Sequence, residues 1–243
     1  MDPILLDRDL PPLPAAGARW RYWRPALDGV VEFGTLHGHA VGLPPHFHDE
    51  AQLTFVLSGR RRFRLGGGLI ALAPGQGVLI PAFTPHSSAA EPAGVVCLNA
   101  YLPAADYAAA AMLAEIERLW RRTGRIGGVD LAAMVRAHAP SAVVSTSAEA
   151  APGQPIDGNE PVGQVARQAG MSREGFSRRF AKRFGMPPHA YWLAGRLNQA
   201  RRLLREGEAL AAVAAETGFA DQSHFGRWFR RAFGVTPGRY RAD

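Results

Sequence analysis

The chain has 243 residues, a formal net charge of +7 and a single cysteine, Cys97. That length fits two domains. One cysteine excludes an intrachain disulfide, and no apolar run approaches the ~20 residues a membrane-spanning helix needs. The start of the chain shows no signal peptide, so the expected compartment is the cytoplasm and no membrane partner is expected.

In chain order, the first 24 residues form a Pro-rich arm, DPILLDRDLPPLPAAG, ending in the aromatic-basic run RWRYWR. A first strand with a frayed terminus is the expected structure. Residues 25 to 101 carry short apolar runs (VVEFGTL, QLTFVLSG, RFRL, LIAL, GVLIP) separated by Gly- and Pro-containing turns, the pattern of a small antiparallel barrel. Arg60, Arg61 and Arg62 follow Gly59 and read as a solvated hairpin loop. Cys97 lies in the apolar strand VVCLNAYL and reads as buried and inert.

His46, His48 and Gln52 share one strand parity, so their side chains point to the same side of the sheet, into the barrel. His86 follows in a second segment. Glu50 shares the parity but sits too early to join them. The segments PPHFHDEAQLTFVLSG and APGQGVLIPAFTPH resemble the two cupin motifs. The resemblance implies a ligand-binding barrel and, in its metal-holding members, three histidines and a glutamate around a divalent ion. Gln52 stands where that glutamate would be. Two readings stay open: the histidines line an effector pocket by hydrogen bonding, or they hold a divalent metal. In the second case the chain is a metal-containing cupin enzyme or a metal sensor. His37 and His39, on the neighbouring strand, read as surface or barrel-lining residues.

Pro103 to Arg122 reads as a helix with the apolar stripe Met112, Leu113, Ile116, Leu119 and Trp120, followed by a shorter helix over 129–138. Residues 139–160 are rich in Ser, Ala, Pro and Gly without an apolar period, and read as a linker.

The last third contains one stretch twice. Phe176, Arg178, Phe180, Phe184, Gly185, Pro188 and Tyr191 recur 49 positions on as Phe225, Arg227, Phe229, Phe233, Gly234, Pro237 and Tyr240. A fixed-offset repeat means one supersecondary unit used twice. Each copy is a short helix ended by glycine (Gly170, Gly218), an N-cap (Ser172, Asp221), then a helix with a Phe stripe on one face and arginines on the other. That is a helix-turn-helix. Residues 189–205 read as a connecting helix with Leu193, Leu197, Ala200 and Leu204 inward and Arg196, Arg201, Arg202 and Arg205 outward.

Residues 158–243 hold 15 Lys+Arg against 7 Asp+Glu, net +8, leaving net −1 for the rest. A basic half of this kind suits double-stranded DNA, whose phosphates it neutralises.

The segments GMSREGFSRRFAKRFGMPPHAYW and GFADQSHFGRWFRRAFGVTPGRYR, joined by RLNQARRLLREG, resemble the arabinose-regulator (AraC/XylS) family of bacterial transcription factors over about residues 158–241. The resemblance implies that two recognition helices enter successive major grooves. By position, Arg173, Glu174, Ser177 and Arg178 in the first, and Gln222, Ser223 and Arg227 in the second, would meet base edges, with Gly226 contributing little. Arg178 and Arg227 suit guanine and Gln222 suits adenine. Family members usually carry an extra helix before the first unit; here that region is the linker.

The expected fold is therefore α+β: a cupin-like sensor barrel with its arm over 1–101, dimerisation or packing helices over 102–138, the linker, and an all-α double helix-turn-helix over 161–243. The expected function is transcription regulation in response to a small-molecule effector. A homodimer through helix 103–122, and RNA polymerase if the protein is an activator, are the further partners implied. The chain is not expected to be an enzyme.

Overall fold

The computed structural model describes residues 6–7, 17–39, 42–140 and 160–242. Most of the linker, and the place of the extra helix, fall outside them. Eleven strands and eight helices follow in chain order among the described residues: β1 (Leu6–Asp7), β2 (Ala18–Trp23), β3 (Glu32–Gly38), β4 (Leu43–His46), β5 (Ala51–Gly59), β6 (Arg61–Leu65), β7 (Gly68–Leu72), β8 (Gly77–Ile80), β9 (His86–Ser88), β10 (Val95–Leu102), α1 (Ala109–Thr123), β11 (Arg125–Ile126), α2 (Gly128–Ala137), α3 (Val162–Gln168), α4 (Arg173–Phe184), α5 (Pro188–Arg205), α6 (Leu210–Glu216), α7 (Gln222–Phe233) and α8 (Pro237–Ala242).

The strands make a five-stranded sheet ordered β2-β3-β10-β5-β8, a four-stranded sheet ordered β4-β9-β6-β7, and a small β1-β11 pair. All pairings are antiparallel. Strand periodicity sorts the side chains of β5 and β10. Leu53, Phe55, Leu57, Leu98, Ala100 and Leu102 pack with Met112, Ile116 and Trp120 of α1 and Leu131 and Val135 of α2. Gln52, Thr54, Asn99 and Tyr101 have the opposite parity. Three of them bond to one another, Gln52 Nε2 to Thr54 Oγ1 at 3.0 Å and Thr54 Oγ1 to Asn99 Oδ1 at 2.7 Å. Every residue of β10 is buried because a helical layer covers one face and the barrel interior the other.

The apolar stripe of α1 is therefore occupied by its own barrel, and the helix starts at Ala109 rather than Pro103. The segment of three arginines is not a solvated loop. Arg61 opens β6 with 3% of its surface exposed, and Arg62 pairs with Glu91 at 2.6 Å.

In the helical half, the Phe stripes are core. Phe176 and Phe180 pack with Tyr191 and Trp192; Phe225, Phe229 and Phe233 pack with Leu197, Leu204 and Tyr240. Ser172 Oγ accepts from Gly175 N–H at 3.1 Å, and Asp221 Oδ1 from His224 N–H at 2.7 Å. Ser172→Ala should cost about 0.5–2 kcal/mol of stability, read from the urea midpoint. The two C-cap glycines, Gly185 and Gly234, are both left-handed. Each also lies against the barrel: a Cβ on Gly185 would meet Pro85 at 3.4 Å, and one on Gly234 would run into the Trp20 indole. These repeat positions end a helix and permit close approach to the barrel at once.

Candidate functional site

Two groups of residues carry the chemistry. The first is the exposed side of α4 and α7. Arg173, Glu174 and Arg178 are exposed and Ser177 partly so; Gln222, Ser223 and Arg227 are exposed, while on the reverse faces Phe176, Phe180, Phe225, Phe229 and Phe233 are buried and Phe184 half-buried. Capping and packing hold each helix so that these side chains project into solvent with no described element covering them.

The second is the barrel interior. His46 ends β4, His48 follows in the β4–β5 turn, and His86 opens β9 opposite His46 in the ladder. Their ligand atoms all lie within 4.8 Å of one another, with ring centroids 4.3–5.4 Å apart. His46 Nδ1 is 2.7 Å from Pro44 O and His86 Nδ1 is 2.9 Å from Thr84 O. A carbonyl only accepts, so both rings carry their proton on Nδ1 and keep a lone pair on Nε2. Burial lowers all three pKa values, to about 4 for His46 and about 3 for His86, so all are neutral at pH 7.

His86 Nε2 is buried without a hydrogen-bond partner among the described residues. Gln52 spends its Nε2 on Thr54 and Asn99. Trp20, Tyr22, Arg61, Phe63 and Tyr101 complete the walls, with Ala232 and Phe233 of α7. The remaining space is about that of one water molecule.

The wall from α7 shows that the two halves are not independent. Arg201, expected to face outward from α5, is fully buried. Its Nη2 pairs with Glu32 Oε1 at 2.6 Å, and its Nη1 reaches Glu50 Oε2 at 3.4 Å and His48 Nδ1 at 3.2 Å. The guanidinium lies 4.4 Å from the centre of the Tyr101 ring. Arg205 pairs with the other oxygen of Glu50 at 2.7 Å and Arg202 with Asp49. Tyr240 donates to Glu32, Tyr22 OH to Phe233 O at 3.0 Å, and Asn198 Nδ2 to Phe47 O at 3.0 Å. Burial alone would raise the Glu50 carboxyl; Arg201 and Arg205 outweigh it and hold it below its ordinary value.

Arg196 is not free either. Its Nε caps α6 through Thr217 O at 2.6 Å. Part of the basic half is thus neutralised within the chain. Sequence spacing could not reveal this, because Glu32 lies 169 positions from Arg201.

A family model described as a helix-turn-helix domain matches residues 165–243, and one described as a cupin domain matches residues 33–98. The chain is an AraC-type helix-turn-helix protein with an N-terminal cupin domain. Its helix-turn-helix segment is 35% identical over 83 residues to the HTH-type transcriptional regulator MtrA of Neisseria gonorrhoeae, covering 34% of this chain and 28% of that protein. It is 35% identical over 79 residues to the virulence regulon transcriptional activator VirF of Yersinia enterocolitica, covering 32% and 29%. A solved AraC-type transcriptional regulator from Chromobacterium violaceum is 32% identical, covering 34% of this chain and 75% of that one, with a TM-score of 0.32. The matched segment spans less than a third of each of the two curated relatives. No described helix is long and apolar enough to cross a membrane.

Proposed function

We infer that this AraC-type protein is a sequence-specific, DNA-binding transcription regulator that answers to an effector in its cupin barrel. The observation that carries the reading is the paired display on α4 and α7. Each helix is capped, buried along its Phe stripe and exposed along a row of residues able to bond base edges. The arginines Arg178, Arg179, Arg183, Arg227, Arg230 and Arg231 have no described carboxylate within ion-pair distance, which leaves their charge for phosphates and bases. The names of the relatives agree with this.

In mechanism, Arg178 and Arg227 present bidentate donors to guanine O6 and N7, and Gln222 pairs with adenine. Arg227→Ala should weaken binding to the selected site by about 1–3 kcal/mol and relax base preference at one position. Fluorescence anisotropy with specific and random duplexes checks this. A uniform loss on both would make Arg227 a phosphate contact instead. Subunit pairing through α1 would have to use the side carrying Glu117, Arg118 and Arg121, since the apolar stripe is covered by the barrel. Contact with RNA polymerase would follow if the protein activates.

A second reading of the barrel is favoured by the three histidines. His46, His48 and His86 would hold a divalent metal ion through neutral imidazole nitrogens, and the orphaned Nε2 of His86 fits that role. A bound ion would supply a positive charge and a Lewis-acidic centre to the cavity. Gln52 in place of a carboxylate and the nearby Arg61 make the donor set weak, which suits a reversible sensor better than a permanent centre.

A further inference from the structure

His48 faces both compartments of the molecule, and its proton bookkeeping links them. A guanidinium has donors and no lone pair, so Arg201 Nη1, 3.2 Å from His48 Nδ1, must donate there. A neutral imidazole has one lone pair and one N–H. With the lone pair taken by Arg201, the other ring nitrogen carries the proton. His46 and His86 hold the opposite tautomer, because their Nδ1 protons point at Pro44 O and Thr84 O. Turning the His48 ring over changes nothing, since whichever nitrogen meets Arg201 has to accept. Two of the three imidazoles therefore offer a lone pair to the cavity, and the third offers one only if Arg201 lets go.

We propose that Arg201 and a divalent transition-metal ion compete for His48, so that filling the three-histidine cluster releases the connecting helix α5 from the barrel mouth. Charge acts in the same direction. Arg201 is fully buried, and a second positive charge beside it in a low-dielectric site is repelled. Opposite side-chain directions along residues 46–48, at and just past the end of β4, extend the effect to the first helix-turn-helix. His46 and His48 turn to the cavity, while Phe47 between them packs on Tyr191 with ring centroids 4.7 Å apart and accepts from Asn198. Adjustment of the histidine segment thus moves a core residue of the first unit, and release of Arg201 frees the second, whose Phe233 lies against the same guanidinium. By linkage, whatever factor the ion takes from the docking, Arg201 takes from the affinity for the ion.

This rests on the sensor reading of the barrel, but its test contains no DNA, so failure of DNA reading leaves it intact. Metal-free full-length protein is titrated with Zn2+ against a chromophoric chelator, for the native chain, Arg201→Lys and His48→Ala. Arg201→Lys keeps a positive charge between Glu32 and Glu50 while removing the Nη1 donor. The expected result is one equivalent of Zn2+, bound at least tenfold tighter by Arg201→Lys and lost in His48→Ala. On the native chain, which avoids any folding defect, Zn2+ should speed amide exchange in residues 188–205 by tenfold or more. Equal affinity in the native chain and Arg201→Lys, retention in His48→Ala, unchanged exchange, or no binding by any form would each overturn the proposal.

Discussion

Replacing Arg201 by alanine is expected to destabilise the protein by about 3–5 kcal/mol, the range for breaking a buried ion pair by removing one partner. The cost does not come from losing a strong attraction. Glu32 has no exposed surface and Glu50 has 8%, and both lose the guanidinium that offsets their desolvation. Arg24, 3.3 Å from Glu32, and Arg205, on Glu50, remain and keep the loss from being larger. The same argument predicts a rescue. Arg201→Met with Glu32→Gln replaces the charges by groups of similar volume and should recover a large part of the loss. Urea unfolding followed by circular dichroism separates the cases. A loss below about 1 kcal/mol for Arg201→Ala would mean the helical half is not held on the barrel as described.

The second large effect is Ile116→Glu. Ile116 has no exposed surface and sits with Phe55, Met112 and Trp120 between α1 and the five-stranded sheet. A carboxylate there would lack any partner in the apolar cluster, so the change should cost about 4 kcal/mol or more and unfold the barrel half. Thermal unfolding of the purified variant reads this directly. A variant as stable as the parent would show that the stripe faces outward, as a subunit contact would require.

What could be read from the sequence was what repeats over short distances. The Phe176/Phe180/Phe184 and Phe225/Phe229/Phe233 stripes have helical spacing, so α4, α7 and their caps are legible. The shared parity of His46 and His48 points both into the barrel, and the second motif supplies His86; the three do cluster, but His48 lies in the turn after β4 rather than on a strand. What could not be read depends on partners far along the chain. Arg201 has the same local surroundings as Arg202, yet one is buried and the other exposed. The difference lies in Glu32 and Glu50, which nothing in helix periodicity points to. Arg61 shows the same limit. Three consecutive arginines read as solvated, whereas only Arg60 precedes the strand, and alternation in β6 turns Arg61 inward and Arg62 out to Glu91. Helix α8 is hidden in the sequence, because the prolines that close α4 and α7 also open α5 and α8. Proline suits a first helical turn as well as it ends the previous one.

The interface also changes how regulation is best pictured. In the sequence, residues 139–160 read as the linker that joins the barrel to the helical half. The contacts of Arg201, Tyr22 and Phe47 instead join the barrel directly to both helix-turn-helix units. On the proposed reading, an effector would work by its differential affinity for the docked and released arrangements.

Selection from random double-stranded DNA with the full-length protein shows whether both helix-turn-helix units read one stretch of duplex. Two short boxes roughly ten base pairs apart, one helical turn, should be enriched, with the preference at one box relaxed by Arg178→Ala and at the other by Arg227→Ala. Binding that falls steeply with salt and enriches no sequence would contradict it, leaving the basic half as an electrostatic anchor.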